Sequence, residues 1–221
     1  MISQITNRII AHRGCWIGET GFEKLPQNSL DSLELALTSG FGIEIDIRDQ
    51  NGIVFVSHDP ILNKDNCLKF ESILEKISDQ LIALNVKSDG LINLIGQKVF
   101  ENLKKKHHFF FDLSFPEEIK YKKMNQVVAK RVSEFESLDY RSNDNSQEFY
   151  WLDSFISDWW INEELLLRLL ESKSKVILVS PELHGRDPNQ AWHYLSQIWS
   201  SYDNLMVCSD YPFKLHEILT K

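Results

Sequence analysis

The chain has little cysteine: Cys15, Cys67 and Cys208 are widely spaced and form no C-x-x-C pair. So sparse and odd a set argues against a disulfide framework and for a reducing compartment. Long apolar runs are missing too. The opening MISQITNRII lacks the apolar stretch of a secretory leader, and no segment reaches the length of a membrane span. A soluble cytoplasmic protein is expected; the sequence is silent on oligomeric state. Positive charge is in deficit, with 24 Lys and Arg against 32 Asp and Glu, a formal net charge of −8. That balance disfavours a nucleic-acid partner, and the one dense basic cluster, Lys104-Lys105-Lys106, reads as the solvated end of a helix. Repeats, low-complexity tracts and linkers are absent, so the 221 residues are expected to form a single domain, 1–221.

What is present is a rhythm. Eight runs rich in β-branched and aromatic residues fall at 8–14, 42–48, 81–87, 107–113, 130–136, 149–155, 175–183 and 204–210. Segments with helical spacing lie between several of them, at 28–40, 117–130, 161–173 and 188–202. Strand then helix, repeated, predicts an α/β fold with a parallel sheet, and eight repeats predict a compact (β/α)8 TIM barrel. Two stretches break the pattern. Residues 52–59 follow the second strand too closely for a helix and predict a β-hairpin extension, and the polar 137–148 predicts a missing or degenerate helix.

In such a barrel the C-terminal strand ends build the active site. Those ends carry His12 and Arg13, Glu44 and Asp46, Asn85 and Lys87, and Asp112, placed inward by alternation with Phe110. Later ends carry Glu134, Asp153, Glu182 with His184, and Asp210. Buried charge costs several kcal/mol unless paired or bound to a metal. In IEIDIRDQNGIVFVSHD (43–59), Glu44 and Asp46 alternate with Ile43, Ile45 and Ile47. The two acids therefore share a face and can ligate one hard cation, for which Mg²⁺ or Ca²⁺ suits carboxylates better than zinc. His12 and His58 can flank a phosphate as base and acid, and Arg13 and Lys87 supply positive charge for its oxygens. This is equipment for cleaving a phosphodiester.

The motifs IAHRG, NSLDSLELALTSGFGIEIDIR and GIVFVSHD, in this order across residues 9–59, resemble the glycerophosphodiester phosphodiesterase family. The resemblance implies an acid/base pair in His12 and His58, metal ligands in Glu44 and Asp46, and a phosphate contact in Arg13. It also implies attack on phosphorus by a neighbouring substrate hydroxyl. The chain departs from the family at its third strand. Family members read E-x-K where LNVKSDG places Asn85 and Lys87. An uncharged amide ligates more weakly than Glu, so Asn85 is either a weak ligand or a spectator, and Asp112 is the acid placed to compensate. RVSEFES, YWLDSFISDWW and VSPELHGR further resemble a subgroup found with bacterial surface-polysaccharide genes, which implies a sugar or polyol phosphodiester stacked on Trp151, Trp159 and Trp160.

Other positions have plainer readings. Glu182 and His184, sharing a face, bind metal or substrate or form a strand-end salt bridge. Asp153 and Glu134 are expected as buried hydrogen-bond anchors, Trp192 and Trp199 as helix-to-barrel packing, and Cys208 as a core residue with Asp210 inward beside it. The expected activity is metal-dependent hydrolysis of a small polyol, sugar or lipid-headgroup phosphodiester. Two alternatives stand beside it: a non-catalytic barrel that binds a phosphorylated ligand, and a lyase that releases a cyclic phosphate.

Overall fold

The computed structural model describes residues 7–19, 21–63, 67–136, 138, 149–157, 164–172 and 174–221. Trp159, Trp160 and all of 137–148 except residue 138 lie outside the described residues. The strands are β1 Ile9–His12, β2 Gly42–Gln50, β3 Ile53–Val56, β4 Leu68–Lys69 and β5 Ile82–Val86. They continue with β6 His108–Phe111, β7 Lys130–Val132, β8 Phe149–Leu152, β9 Lys175–Val179 and β10 Leu205–Ser209. The helices are α1 Leu30–Thr38, α2 Phe70–Leu74, α3 Leu91–Leu94 and α4 Gln97–Leu103, then α5 Phe115–Lys123, α6 Glu164–Glu171, α7 Asn189–Ile198 and α8 Pro212–Leu219. None of the described helices is long and apolar enough to cross a membrane.

Eight strands run parallel in the order β6-β5-β2-β1-β10-β9-β8-β7. The α/β architecture is therefore as expected, but the ladder is open between β6 and β7. Among the described residues one parallel bridge, Phe110 to Val128, spans that gap, with Phe110 N–H donating to Val127 at 2.9 Å and Ala129 N–H donating to Phe110 at 2.8 Å. β3 lies antiparallel on β2, Ile47 opposite Val56 and Gln50 opposite Ile53. The connecting Asn51 and Gly52 have φ of 51° and 77°. Positive φ at both central residues matches the twist of a two-residue hairpin.

Strand alternation sorts the apolar residues into two shells. Ile10, Ala83, Phe109, Phe111, Phe149, Trp151, Ile177, Val179 and Cys208 pack together on the inner face of the sheet. Ile9, Ala11, Ile43, Ile45, Ile47, Leu84, Phe110, Val176 and Val207 face outward, where Leu33, Leu37, Leu166, Trp192 and Leu215 of the helices cover them. Trp192 and Trp199 are packing residues, as expected: both are buried, and Trp192 Nε1 donates to Ser180 Oγ at 2.9 Å.

Three expectations need correction. Phe110 is an outward residue against Tyr121, so alternation does not bring Asp112 inside; it turns there through a left-handed φ of 60° just beyond β6. The helix expected over 117–130 ends at Lys123, because Asn125 takes φ 55° and the following residues extend towards β7. The strand expected over 175–183 ends at Val179: Pro181 has no N–H for the ladder, and Pro181–His184 forms a 3₁₀ turn.

Candidate active site

Because Ile43, Ile45 and Ile47 are claimed by the outer shell, Glu44 and Asp46 must point to the inner face of the sheet, where they are 1% and 0% exposed. The same alternation puts His12 above Ile10 and Asn85 above Ala83. Asn85 stands directly opposite Asp46 in the β2–β5 register. His12, Glu44 and Asn85, together with Arg13, Lys87, His58, Asp112, Arg131, Trp151, Asp153 and His184, line one cavity of about 270 Å³ at the C-terminal ends of the strands.

His12 Nδ1 lies 2.7 Å from Asp210 Oδ1, which also accepts from Trp16 Nε1 at 3.1 Å. The β1–β10 register, Ala11 beside Ser209, brings the two together. His12 Nε2 faces Glu44 at 3.9 Å. Burial by itself lowers the His12 pKa, but the Asp210 hydrogen bond and the charges of Glu44 and Asp210 outweigh it, and the net shift is upward. His58 sits at the mouth, its side chain 44% exposed and its Nδ1 2.9 Å from Asp59 Oδ1.

The acids of β2 are surrounded by donors. Asp46 is 2.9 Å from Arg13 Nε and 3.3 Å from Lys87 Nζ, and it accepts from Asn28 Nδ2 at 2.8 Å. Glu44 accepts from the Arg13 N–H at 3.3 Å. Burial first, and the neighbouring Asp46 second, push Glu44 up to about 7 against the pull of His12, Arg13 and Lys87. Glu44 Oε1 and Asn85 Oδ1 accept no hydrogen bond, and Asp46 Oδ1 meets only the Lys87 ammonium, at 3.3 Å. Buried polar atoms are seldom left so, and three oxygen donors on neighbouring strands suit a hard divalent cation. Among the described residues no three Asp, Glu, His or Cys side chains form a metal cluster; the third oxygen here is an amide's.

Asp112 engages Arg131 at 2.8 Å and Lys87 at 3.8 Å. Its pKa is raised, chiefly by burial, against the pull of Arg131 and Lys87. Arg13, Asn28 and Asp112 all hold left-handed φ, at 57°, 56° and 60°. Such backbone costs a non-glycine residue about 1–3 kcal/mol and gathers at functional sites.

The sequence reading brings His12, Arg13, Glu44, His58, Asn85, Lys87, Asp112, Trp151 and His184 to this cavity, with Asp46 buried beneath them. Trp151 is not an exposed platform: it is 4% exposed and stacked on Phe111 at 4.1 Å, part of the cavity floor. Glu182 is not in the cavity. The 3₁₀ turn separates it from His184, and its carboxylate takes Ser180 Oγ, Ser209 Oγ at 2.5 Å and the Asp210 N–H at 3.2 Å. Asp153 is more than an anchor, since it lines the cavity with Oδ1 2.7 Å from His184 Nε2. Glu134 does anchor backbone, though on the surface. Asn28, Arg131 and the role of Asp210 were missed; only Asp210, two residues beyond inward Cys208, left a signal in the sequence.

No family model matches the chain, and no curated protein sequence does. Solved structures match it along nearly its whole length. A glycerophosphoryl diester phosphodiesterase from Parabacteroides distasonis ATCC 8503 superposes with a TM-score of 0.67 at 16% identity, over 96% of this chain and 85% of that one. A second glycerophosphodiester phosphodiesterase from the same organism gives 0.66 at 15% identity, covering 96% of each chain. A putative glycerophosphoryl diester phosphodiesterase from Silicibacter pomeroyi DSS-3 gives 0.60 at 12%, over 99% and 97%. At these identities the likeness establishes the fold.

Proposed function

We propose that the chain is a divergent glycerophosphodiester phosphodiesterase, a compact (β/α)8 barrel closed through the Phe110–Val128 bridge, which cleaves a small phosphodiester with a divalent cation in its strand-end cavity. The observation that carries this reading is the meeting, at one cavity, of His12, held by Asp210, the exposed His58, and the oxygens of Glu44 and Asn85 that accept no hydrogen bond, with Asp46 buried beneath them. Glu44, Asp46 and Asn85 would hold Mg²⁺ or Ca²⁺, while Asp112 serves as counter-ion to Lys87 and Arg131. A bound cation would polarise a phosphoryl oxygen and offset the charge that develops in the transition state.

The side chains supply the rest. Asp210 fixes the His12 ring with Nδ1 protonated, which leaves Nε2 to take the proton of the attacking hydroxyl, from the substrate's own neighbouring group or from water. His58, at the mouth, protonates the departing alcohol. Arg13 and Lys87 hold phosphate oxygens by charge-assisted contacts. The test is release of alcohol from glycerophosphodiesters by wild type, His12→Ala and His58→Ala with Mg²⁺ or Ca²⁺ present. Each variant is expected to lose about 10²-fold or more in rate; full activity in both would remove the assignment.

One observation favours a second reading, a barrel that binds a phosphorylated ligand without turnover. Arg13 and Lys87 already balance Asp46, so the acids can act as a scaffold for two phosphate-binding cations. Saturable phosphodiester binding with no product under any divalent ion would support it.

A further inference from the structure

The cavity has two unlike sides. Away from Asp46, its lining includes Phe111, Trp151, Val179, Leu183 and Phe155. The polar groups on that side are closed on one another: Asp153 with His184 at 2.7 Å, and Asp112 with Arg131 at 2.8 Å, whose fork also holds Glu136. A ligand there meets satisfied ion pairs and carbon.

The apolar lane continues past the rim. Phe155, 39% exposed, has its ring centroid 6.2 Å from that of Phe135, 71% exposed, and the adjoining Ile156 is 66% exposed. The backbone that carries Phe155 and Ile156 is held in place. The Glu134 carboxylate accepts the N–H groups of Phe155, Ile156 and Ser157 at 3.1, 3.0 and 3.0 Å, tying the turn after β7 to the turn after β8. Single exposed apolar residues are ordinary on a surface. An exposed apolar cluster continuous with a cavity marks a binding surface for something apolar, and here that something is joined to whatever occupies the cavity.

We propose that the Phe155–Phe135–Ile156 strip carries the hydrocarbon tail of the alcohol esterified to the phosphate, so that the preferred substrate is an amphiphilic phosphodiester. This rests on the phosphodiesterase reading of the same cavity. Burying one methylene fully is worth about fourfold in affinity, so partial burial along the strip gives a cumulative preference for longer chains.

The test compares the methyl and octyl esters of glycerol phosphate, both below micelle-forming concentration, for wild type and Phe135→Ser. Phe135 touches neither the histidines nor the acids. The expected result is an octyl-to-methyl ratio of kcat/KM of about ten or more in wild type, falling several-fold in Phe135→Ser while methyl-ester turnover stays unchanged. A wild-type ratio near one, or one that Phe135→Ser leaves intact, overturns the tail proposal and leaves the phosphodiesterase reading standing. No turnover of either ester overturns both.

Discussion

Replacing Glu44 by Gln should make the metal-free protein more stable at pH 8, an unusual outcome for a change at an active site. The Glu44 carboxyl is raised from 4.5 to about 7 because burial and Asp46 oppose its ionisation. A group with a raised folded pKa contributes stability that is present below its unfolded pKa and lost as pH rises through the folded value. Between pH 4.5 and 7 the unfolded chain ionises Glu44 while the folded, chelator-treated protein keeps it protonated, so stability falls across that window. At about 1.36 kcal/mol per unit, the shift corresponds to ~3 kcal/mol lost by pH 8. Gln keeps an acceptor for the Arg13 N–H and has no charge to bury. Glu44→Gln should therefore match wild type near pH 4.5 and exceed it at pH 8, by roughly 6–12 °C in Tm for a chain of this size. Adding Mg²⁺ or Ca²⁺ should reverse the order, because the cation stabilises ionised Glu44 and gains much less from the amide. Thermal unfolding at the two pH values, with chelator and with each ion, reads all of this. A variant less stable than wild type at pH 8 in chelator would refute the electrostatic reasoning, and an equal gain from metal in both proteins would remove Glu44 as a ligand.

Further outcomes follow from the same contacts. Asp210→Asn removes the charge that helps raise His12 and leaves an amide that can pair with either ring tautomer, so the His12 ring titration, followed by proton NMR, should move to lower pH, and phosphodiester turnover should fall by about 10²-fold. Gly14→Ala should be among the most damaging single changes. A Cβ there would lie 2.6 Å from the Ser32 carbonyl carbon on a backbone with φ +85°, so urea unfolding should show a loss of several kcal/mol. Trp151→Ala removes a buried ring stacked on Phe111 and should cost about 3–5 kcal/mol by the same assay.

The sequence made legible what period and spacing carry. Ile43, Ile45 and Ile47 had to face a core, which fixed the direction of Glu44 and Asp46. The brief gap to GIVFVSHD fixed the return that brings His58 to the mouth. It did not make legible what depends on neighbours distant in the chain or on single backbone angles. Asp210 reaches His12 across 198 positions because β1 and β10 are adjacent, a fact of topology. Asn28 and Asp112 reach the site through left-handed φ, which alternation does not encode. Glu182 seemed to share a face with His184 only because the chain was read as strand past Pro181. The lysine and arginine expected to wait for phosphate instead sit on Asp46, since a carboxylate with no exposure must have partners whether or not ligand is present.

The account stands most directly on phosphorus NMR of a glycerophosphodiester incubated with the chelator-treated protein, then with Mg²⁺ or Ca²⁺ added. The expected result is an unchanged diester signal in chelator, and its loss once the ion is present, with a monoester or a cyclic phosphate growing in its place and no change in the His12→Ala sample. A monoester would mark hydrolysis and a persistent cyclic phosphate a lyase, both within the proposed chemistry. Conversion that proceeds equally in chelator, or equally in His12→Ala, would contradict the claim that this cavity and its cation cleave the bond.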